Sequence, residues 1–109
     1  MSDHKPVAHL SLICTNIVEN KYRAYSIEVR QYKKNYQVRC AWGRLKSQKR
    51  QLLKSFDDQN TMLHFIEQIL KRRYRNDYQI IAQSDDFPET PSLKLLPYTD
   101  HIAGQLLLF

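Results

Sequence analysis

Alternation of apolar and polar residues divides the first half of the chain into a series of short stretches. Apolar residues recur at every second position in 9–17, 22–32 and 35–44, and less regularly in 48–56. A period of two is typical of a β-strand with one buried face. In residues 59–75 the apolar spacing changes to three and four, which indicates an amphipathic helix. A short apolar run at 78–82 predicts a closing strand.

The connections between these stretches indicate how they are arranged. Lys33-Lys34-Asn35 is short enough that an antiparallel hairpin is the economical link between the second and third strands. Asp57 and Asp58 precede the helix, where carboxylates cap backbone N–H groups and complement the helix dipole. The pattern predicts an α+β fold, with a twisted, mostly antiparallel sheet of four to five strands, one main helix packed on it and an extended C-terminal tail.

Composition changes near residue 84. Residues 84–92 are acidic and interrupted by two prolines, a composition that favours irregular structure. The sequence therefore predicts a flexible leader at 1–7, a folded domain at 8–83 and an acidic, proline-containing tether at 84–109.

Charge is concentrated in the predicted domain. The chain carries a formal charge of +6, and residues 21–75 hold fifteen Lys or Arg against four acids. Such a basic body favours polyanion binding, although a merely soluble basic surface gives the same composition. No apolar run reaches the length of a membrane span, and the first residues lack a signal peptide's apolar core, so we expect a cytoplasmic protein without membrane contact.

Residue types that carry catalysis or bind metals are sparse. Cys14 and Cys40 lie in strand-like stretches, where a small buried hydrophobe is the expected role and a disulfide is the alternative. Only two glycines occur, too few for a phosphate-binding loop or a nucleophile elbow. The histidines, His4, His9, His64 and His101, lack metal-ligand spacing. We expect no catalytic residue, no metal site and no cofactor.

The third predicted strand ends in Trp42-Gly43-Arg44. These residues set a large ring, a backbone without Cβ and a planar cation side by side, which suits contact with a sugar-phosphate chain. A second interpretation remains open. Trp42 lies four residues after Val38 and therefore on the same face of the predicted strand, so it could instead belong to the core, with Arg44 as a structural ion-pair partner.

The residues around this tripeptide resemble the WGR domain family, which is named for it. Upstream the resemblance rests on the run from Asn20 to Tyr25, Asn-Lys-Tyr-Arg-Ala-Tyr. Downstream it rests on Phe56, Phe65, the basic run at 71–73 and Tyr78, so that it covers about 9–78. Residues 45–50 depart from the family because they contain no glycine where many members have several, and a different turn is expected there.

The resemblance implies a non-catalytic module that binds nucleic acid. WGR domains are best known in DNA-damage-activated poly(ADP-ribose) polymerases, where the module helps to grip broken DNA. By that resemblance Trp42 stacks on a sugar or terminal base, and Arg44 pairs with phosphate or braces the ring. DNA ends, nicks or single strands are the expected ligands, in a repair context, with RNA left open.

Cations near the tripeptide complete the predicted site. Phosphate contacts from such residues dominate non-specific affinity. The full predicted set is Trp42, Gly43, Arg44, Arg39, Lys46, Lys49, Arg50, Lys54 and Arg23. Lys71, Arg72, Arg73 and Arg75 could serve either this site or the helix dipole. A rival interpretation makes the chain a protein-interaction adaptor, or a regulatory subunit acting on a separate catalytic protein.

The sequence Gln105-Leu106-Leu107-Leu108-Phe109 resembles the peptide by which bacterial proteins bind the replication sliding clamp. The resemblance implies that Gln105 hydrogen-bonds at the rim of the clamp's cleft while Leu106, Leu108 and Phe109 fill it. Leu107 departs from the family, which prefers a small polar residue there. Alternatively, this segment folds back on the domain as a last strand.

Overall fold

The computed structural model describes residues 7–16, 21–44 and 48–99. Within these ranges the elements are β1 (Ala8–Asn16), β2 (Lys21–Tyr32), β3 (Asn35–Arg44), β4 (Arg50–Phe56), α1 (Gln59–Arg75), β5 (Gln79–Gln83) and α2 (Pro91–Leu95). The strands form one antiparallel sheet in the order β4-β3-β2-β1-β5. The predicted α+β fold is confirmed. No described helix is long and apolar enough to cross a membrane.

The β2–β3 hairpin sets the register of the central sheet. Its turn is Lys33-Lys34, and Lys33 adopts a left-handed conformation with φ of 56°. From there the residues of β2 from Arg23 to Tyr32 each face one residue of β3, including Ile27 with Cys40 and Tyr25 with Trp42. Alternate residues of both strands therefore point to the same face of the sheet.

The hydrophobic core lies between one face of the sheet and α1. The sheet contributes Leu10, Leu12, Ile27, Val38 and Cys40, all fully buried, and α1 contributes Met62, Ile66 and Leu70. The residues that alternation assigned to the inner face, including Cys14, Tyr25 and Val29, are buried. Both cysteines are buried free thiols, which supports their role as small hydrophobes.

Both ends of α1 are capped by side-chain or backbone hydrogen bonds. The Thr61 amide donates to an Asp58 carboxylate oxygen at 2.8 Å, and this bond holds the pKa of Asp58 below its usual range. At the other end Asp77 has φ of 62°, and the Tyr78 amide donates to the Arg73 carbonyl at 3.1 Å. This left-handed ending folds the chain back so that Tyr78 lies beside Arg73.

Residues 84–99 differ from the predicted tether because they pack on the domain. Phe87, Leu93 and Leu96 are buried in the main core. α2, capped by Thr90, contacts α1, and the Ser92 amide and hydroxyl donate to the Glu67 carboxylate at 2.8 and 2.6 Å. Three buried apolar side chains thus outweigh an acidic, proline-containing composition. Residues 1–6 of the predicted leader and 100–109 of the predicted tether lie outside the described residues.

Candidate nucleic-acid interface

A cleft of about 390 Å³ opens at the end of the sheet where β3 stops and the C-terminal turn of α1 arrives. Four arginines and two aromatic residues line most of it: Arg23, Arg44, Arg50, Arg73, Trp42 and Tyr78. Gly43 and Gln48 complete the lining. Among the described residues no acidic side chain lines the cleft.

Strand register explains why the cations of the sheet meet there. Arg23 faces Arg44 across β2 and β3, and Arg50 faces Trp42 across β4 and β3. Trp42 also faces Tyr25, which has the same parity as Arg23. All these side chains therefore project from the face that α1 covers, but beyond the part of that face that α1 buries.

Arg73 enters the cleft from the last turn of α1. Its guanidinium carbon lies 4.5 Å from the centre of the Tyr25 ring and 5.3 Å from that of Tyr78. The Trp42 ring stacks on Tyr25 with centroids 5.8 Å apart and planes inclined by 16°. The buried Nε of Arg73 has no hydrogen-bond partner. Arg73 is thus held by ring faces, while at least this donor is not used within the protein.

The position of Trp42 is compatible with both of its interpretations. Its ring is half-buried and packs against the core, as the structural interpretation predicts. It also lines the cleft, as the binding interpretation predicts. The contact with Tyr25 fixes the plane of the ring, so a ligand meets a rigid aromatic surface.

Gly43 allows the segment before β4 to approach the end of β3 closely. Its φ is 155°, and a Cβ there would lie 3.3 Å from Cδ of Lys49. The Lys49 ammonium in turn donates to the Arg44 carbonyl at 2.6 Å. A side chain at Gly43 would strain the backbone and press on Lys49.

Two titratable groups, the Tyr25 hydroxyl and the Cys40 thiol, lie close to the residues that line the cleft. Burial, reinforced by the neighbouring Cys40 thiol, raises the pKa of the Tyr25 hydroxyl. Burial also raises the pKa of the Cys40 thiol. Both groups remain protonated at neutral pH, so neither contributes a negative charge near the arginines.

Other predicted site residues lie elsewhere. Arg39 projects from the opposite face of the sheet, beside Glu28 and Arg30, because it has the opposite parity to Trp42. Lys54 lies with its ammonium 5.0 Å from the Phe65 ring centre, four residues along β4 from Arg50, or about 13 Å. Lys49 contacts the Gly43–Arg44 backbone. Lys46 lies outside the described residues, as do Gln105, Leu106, Leu108 and Phe109, so the clamp-binding assignment stays a prediction.

Three lining residues, Gln48, Arg73 and Tyr78, were not assigned from the sequence. Arg73 was left open between two roles, yet it lies three residues after Leu70 and seven after Ile66, on the buried stripe of α1. A cation at such a position, rather than on the exposed stripe, was a signal for a cleft contact. Tyr78 gave no such signal, because the left-handed turn at Asp77 brings it there.

The fold and the cleft together define a small α+β module whose cationic cleft is built around a tryptophan. The WGR domain family model matches residues 8–85, and the chain belongs to this family. WGR domains are in general non-catalytic, nucleic-acid-binding modules. Comparison with curated proteins gives no match. Among the described residues no three His, Cys, Asp or Glu side chains are grouped as a metal ion would require.

Proposed function

We propose that the cleft binds DNA through its sugar-phosphate backbone and through stacking on Trp42. The observation that carries this proposal is the convergence of four guanidinium groups and the Trp42 ring in one cleft of about 390 Å³. Guanidinium groups bind phosphate through paired hydrogen bonds. Among the described residues that line the cleft there are four arginines and no acidic side chain, so the lining itself is cationic.

The ligand class follows from the position of the tryptophan. A flat ring at the wall of an open cleft can stack only on a sugar or base whose face is accessible. Such faces occur at ends, nicks and single strands, whereas base faces inside an intact duplex are covered by their neighbours. Stacking of this kind tolerates any base and contributes about 1–3 kcal/mol per base.

The test measures binding of dye-labelled DNA by anisotropy, with a 5′ end, a nick, a single strand and an intact duplex of equal length. A single-stranded RNA of the same sequence provides the comparison with the other nucleic acid. Trp42→Ala should weaken binding of the preferred DNA by about 5- to 150-fold, the equivalent of one stacked base. Trp42→Phe should retain most of the affinity, since it keeps a ring.

A control variant separates stacking from general loss of an aromatic residue. Tyr32, 60% exposed at the far end of β2, offers a matched change, and Tyr32→Ala should bind as the wild type does. Circular dichroism checks that each variant keeps its fold. Equal binding by wild type and Trp42→Ala, or none at low salt, would contradict the proposal and favour the protein-interaction adaptor.

We also propose that residues 105–109 bind a sliding clamp while the domain holds DNA. The described domain ends at Thr99, whose amide donates to the Ile80 carbonyl at 2.8 Å. Five residues, 100–104, separate this anchor from Gln105, and fully extended they span at most about 18 Å. Removal of residues 105–109 should abolish binding to a bacterial clamp in surface plasmon resonance and leave DNA affinity unchanged. Unchanged clamp binding would refute this assignment.

A further inference from the structure

β4 forms an open edge of the sheet. At the opposite edge, Ile80 of β5 is bonded to the segment at 97–99, with the Ile80 amide donating to the Pro97 carbonyl at 2.7 Å. In the part of the chain that the structure describes, nothing pairs with the outer side of β4. All residues of β4 except Phe56 are exposed. Unpaired strand edges present N–H and C=O groups to which another strand can bond.

The register identifies which backbone groups point outward. Tyr32 and Asn35 close a two-residue turn and so form a hydrogen-bonded pair. Hydrogen-bonded and non-hydrogen-bonded pairs alternate along an antiparallel ladder, and successive residues of a strand bond to opposite neighbours. The hydrogen-bonded pairs of β3 and β4 are therefore Trp42 with Arg50, Cys40 with Leu52 and Val38 with Lys54. The backbone groups of the intervening residues, Gln51, Leu53 and Ser55, are directed away from the sheet.

The side chains of β4 indicate which kind of strand could pair with its outer edge. Leu52 is 42% exposed on the face that bears α1, between the cations Arg50 and Lys54. Leu53 is 54% exposed on the opposite face. The strand carries two positive charges and no negative one. A second copy of this chain, with its formal charge of +6, would bring like charge to a basic edge, whereas an acidic segment complements it.

We propose that β4 binds an extended acidic segment of a partner protein as an additional strand. The complementary segment carries acidic residues opposite Arg50 and Lys54 and apolar residues opposite Leu52 and Leu53. Any residue can lie opposite Gln51, so in the order of β4 the pattern is acidic, any residue, apolar, apolar, acidic. Main-chain hydrogen bonds to Gln51, Leu53 and Ser55 supply affinity, and the side-chain pattern supplies specificity. Read from N- to C-terminus, this order describes a parallel strand, and an antiparallel strand carries the reverse order. This surface is separate from the cleft, although Arg50 borders both.

The probe is the capped peptide Thr-Glu-Val-Val-Val-Glu-Thr, which matches the pattern in both directions because any residue is allowed opposite Gln51. It is titrated into the full chain and followed by nuclear magnetic resonance. Binding should shift the amide signals of β4 and slow hydrogen exchange at Gln51, Leu53 and Ser55. The same peptide with lysine in place of both glutamates should bind at least tenfold more weakly. Leu53→Pro removes an outward N–H without removing a β3–β4 bond, and should abolish binding, whereas Leu53→Val should retain it.

The experiment separates binding of an acidic segment at β4 from dimerisation through the same edge. Equal binding of the lysine peptide, or no protection at the three outward amides, would overturn the proposal. A concentration-dependent dimer in sedimentation that Leu53→Pro abolishes would assign the edge to a second copy instead. Trp42→Ala should leave peptide binding unchanged, so the result does not depend on the fate of the DNA-binding proposal.

Discussion

Arg73 is the residue that joins the helix to the cleft. It is fixed between the rings of Tyr25 and Tyr78 rather than by a carboxylate. A carboxylate partner would neutralise its charge, whereas a ring face leaves N–H groups at the edge of the guanidinium able to donate hydrogen bonds to a phosphate. Because its conformation is already restricted, Arg73 loses less side-chain entropy on binding than a freely rotating arginine would.

Gly43 has a comparable influence through the backbone. The close approach of Lys49 to Gly43 places the start of β4 against the end of β3, with Arg50 opposite Trp42. The cleft therefore depends on a residue that contributes only backbone to its lining. The middle residue of the tripeptide positions its two neighbours and the following strand together.

At the level of elements, the contact between α1 and α2 attaches the C-terminal segment to the domain. Although partial burial raises the pKa of Glu67, the hydrogen bonds from the Ser92 hydroxyl and amide outweigh it and hold this pKa below its usual range. A carboxyl whose pKa is lowered by folding stabilises the protein above its unfolded-state pKa. That contribution is lost as pH falls through the folded-state value.

Ser92→Ala tests this contact. At pH 7 it removes a hydrogen bond to a charged group, and we expect the free energy of unfolding to fall by about 1–3 kcal/mol. Below the folded-state pKa of Glu67 the difference between wild type and variant should narrow, as the carboxyl becomes protonated in both. Urea unfolding at pH 7 and in the acid range measures both values.

The nearby exposed pair Lys94–Glu89 provides the control. Its atoms are 3.9 Å apart, with the side chains 70% and 75% exposed. Glu89→Gln should therefore change the free energy of unfolding by less than about 1 kcal/mol at either pH. An equal loss in both variants, or one independent of pH for Ser92→Ala, would show that Glu67 does not act as described.

Across the whole molecule, charge is arranged along α1. The arginine-lined cleft lies at its C-terminal end, while Asp57, Asp58, Asp85 and Asp86 lie towards its N-terminal end. With 17 residues, α1 separates the two ends by about 25 Å, more than the ~8 Å screening length at physiological salt. The acids at the N-terminal end therefore weaken the field at the cleft only slightly, whereas Asp77, next to Tyr78, is an acid that lies beside the cleft.

The salt dependence of DNA binding tests which face of the sheet contacts the DNA. On duplex DNA the logarithm of the affinity should fall with the logarithm of salt by about 0.9 per phosphate contacted. Arg23→Gln, which neutralises a cleft residue, should reduce this slope by about 0.9. Arg39→Gln makes the same chemical change on the opposite face and should leave the slope unchanged. Equal effects of the two changes would contradict the assignment of binding to the cleft.

Much of this fold is visible in the sequence because β1, β2 and β3 each bury alternate residues on one face. Leu12, Ile27 and Val38 have the period that this arrangement requires. Burial of Phe87 and Leu93 could not be predicted, because it depends on a surface that exists only after the sheet and α1 have formed. For the site, the alternation of side chains between the two faces of the sheet places Arg23, Arg44 and Arg50 on the same face as Trp42. The same alternation places Arg39 on the opposite face.

The chain contains a single tryptophan and seven tyrosines, and the tryptophan lines the cleft. Light absorbed by the nearby tyrosines, above all Tyr25 at 5.8 Å, passes by resonance transfer to Trp42 and is emitted from that one ring. A base stacked on the indole quenches this emission, while a strand added along Leu53 leaves the ring uncovered. The protein therefore carries, without any dye, an optical reporter of whether its own cleft is occupied.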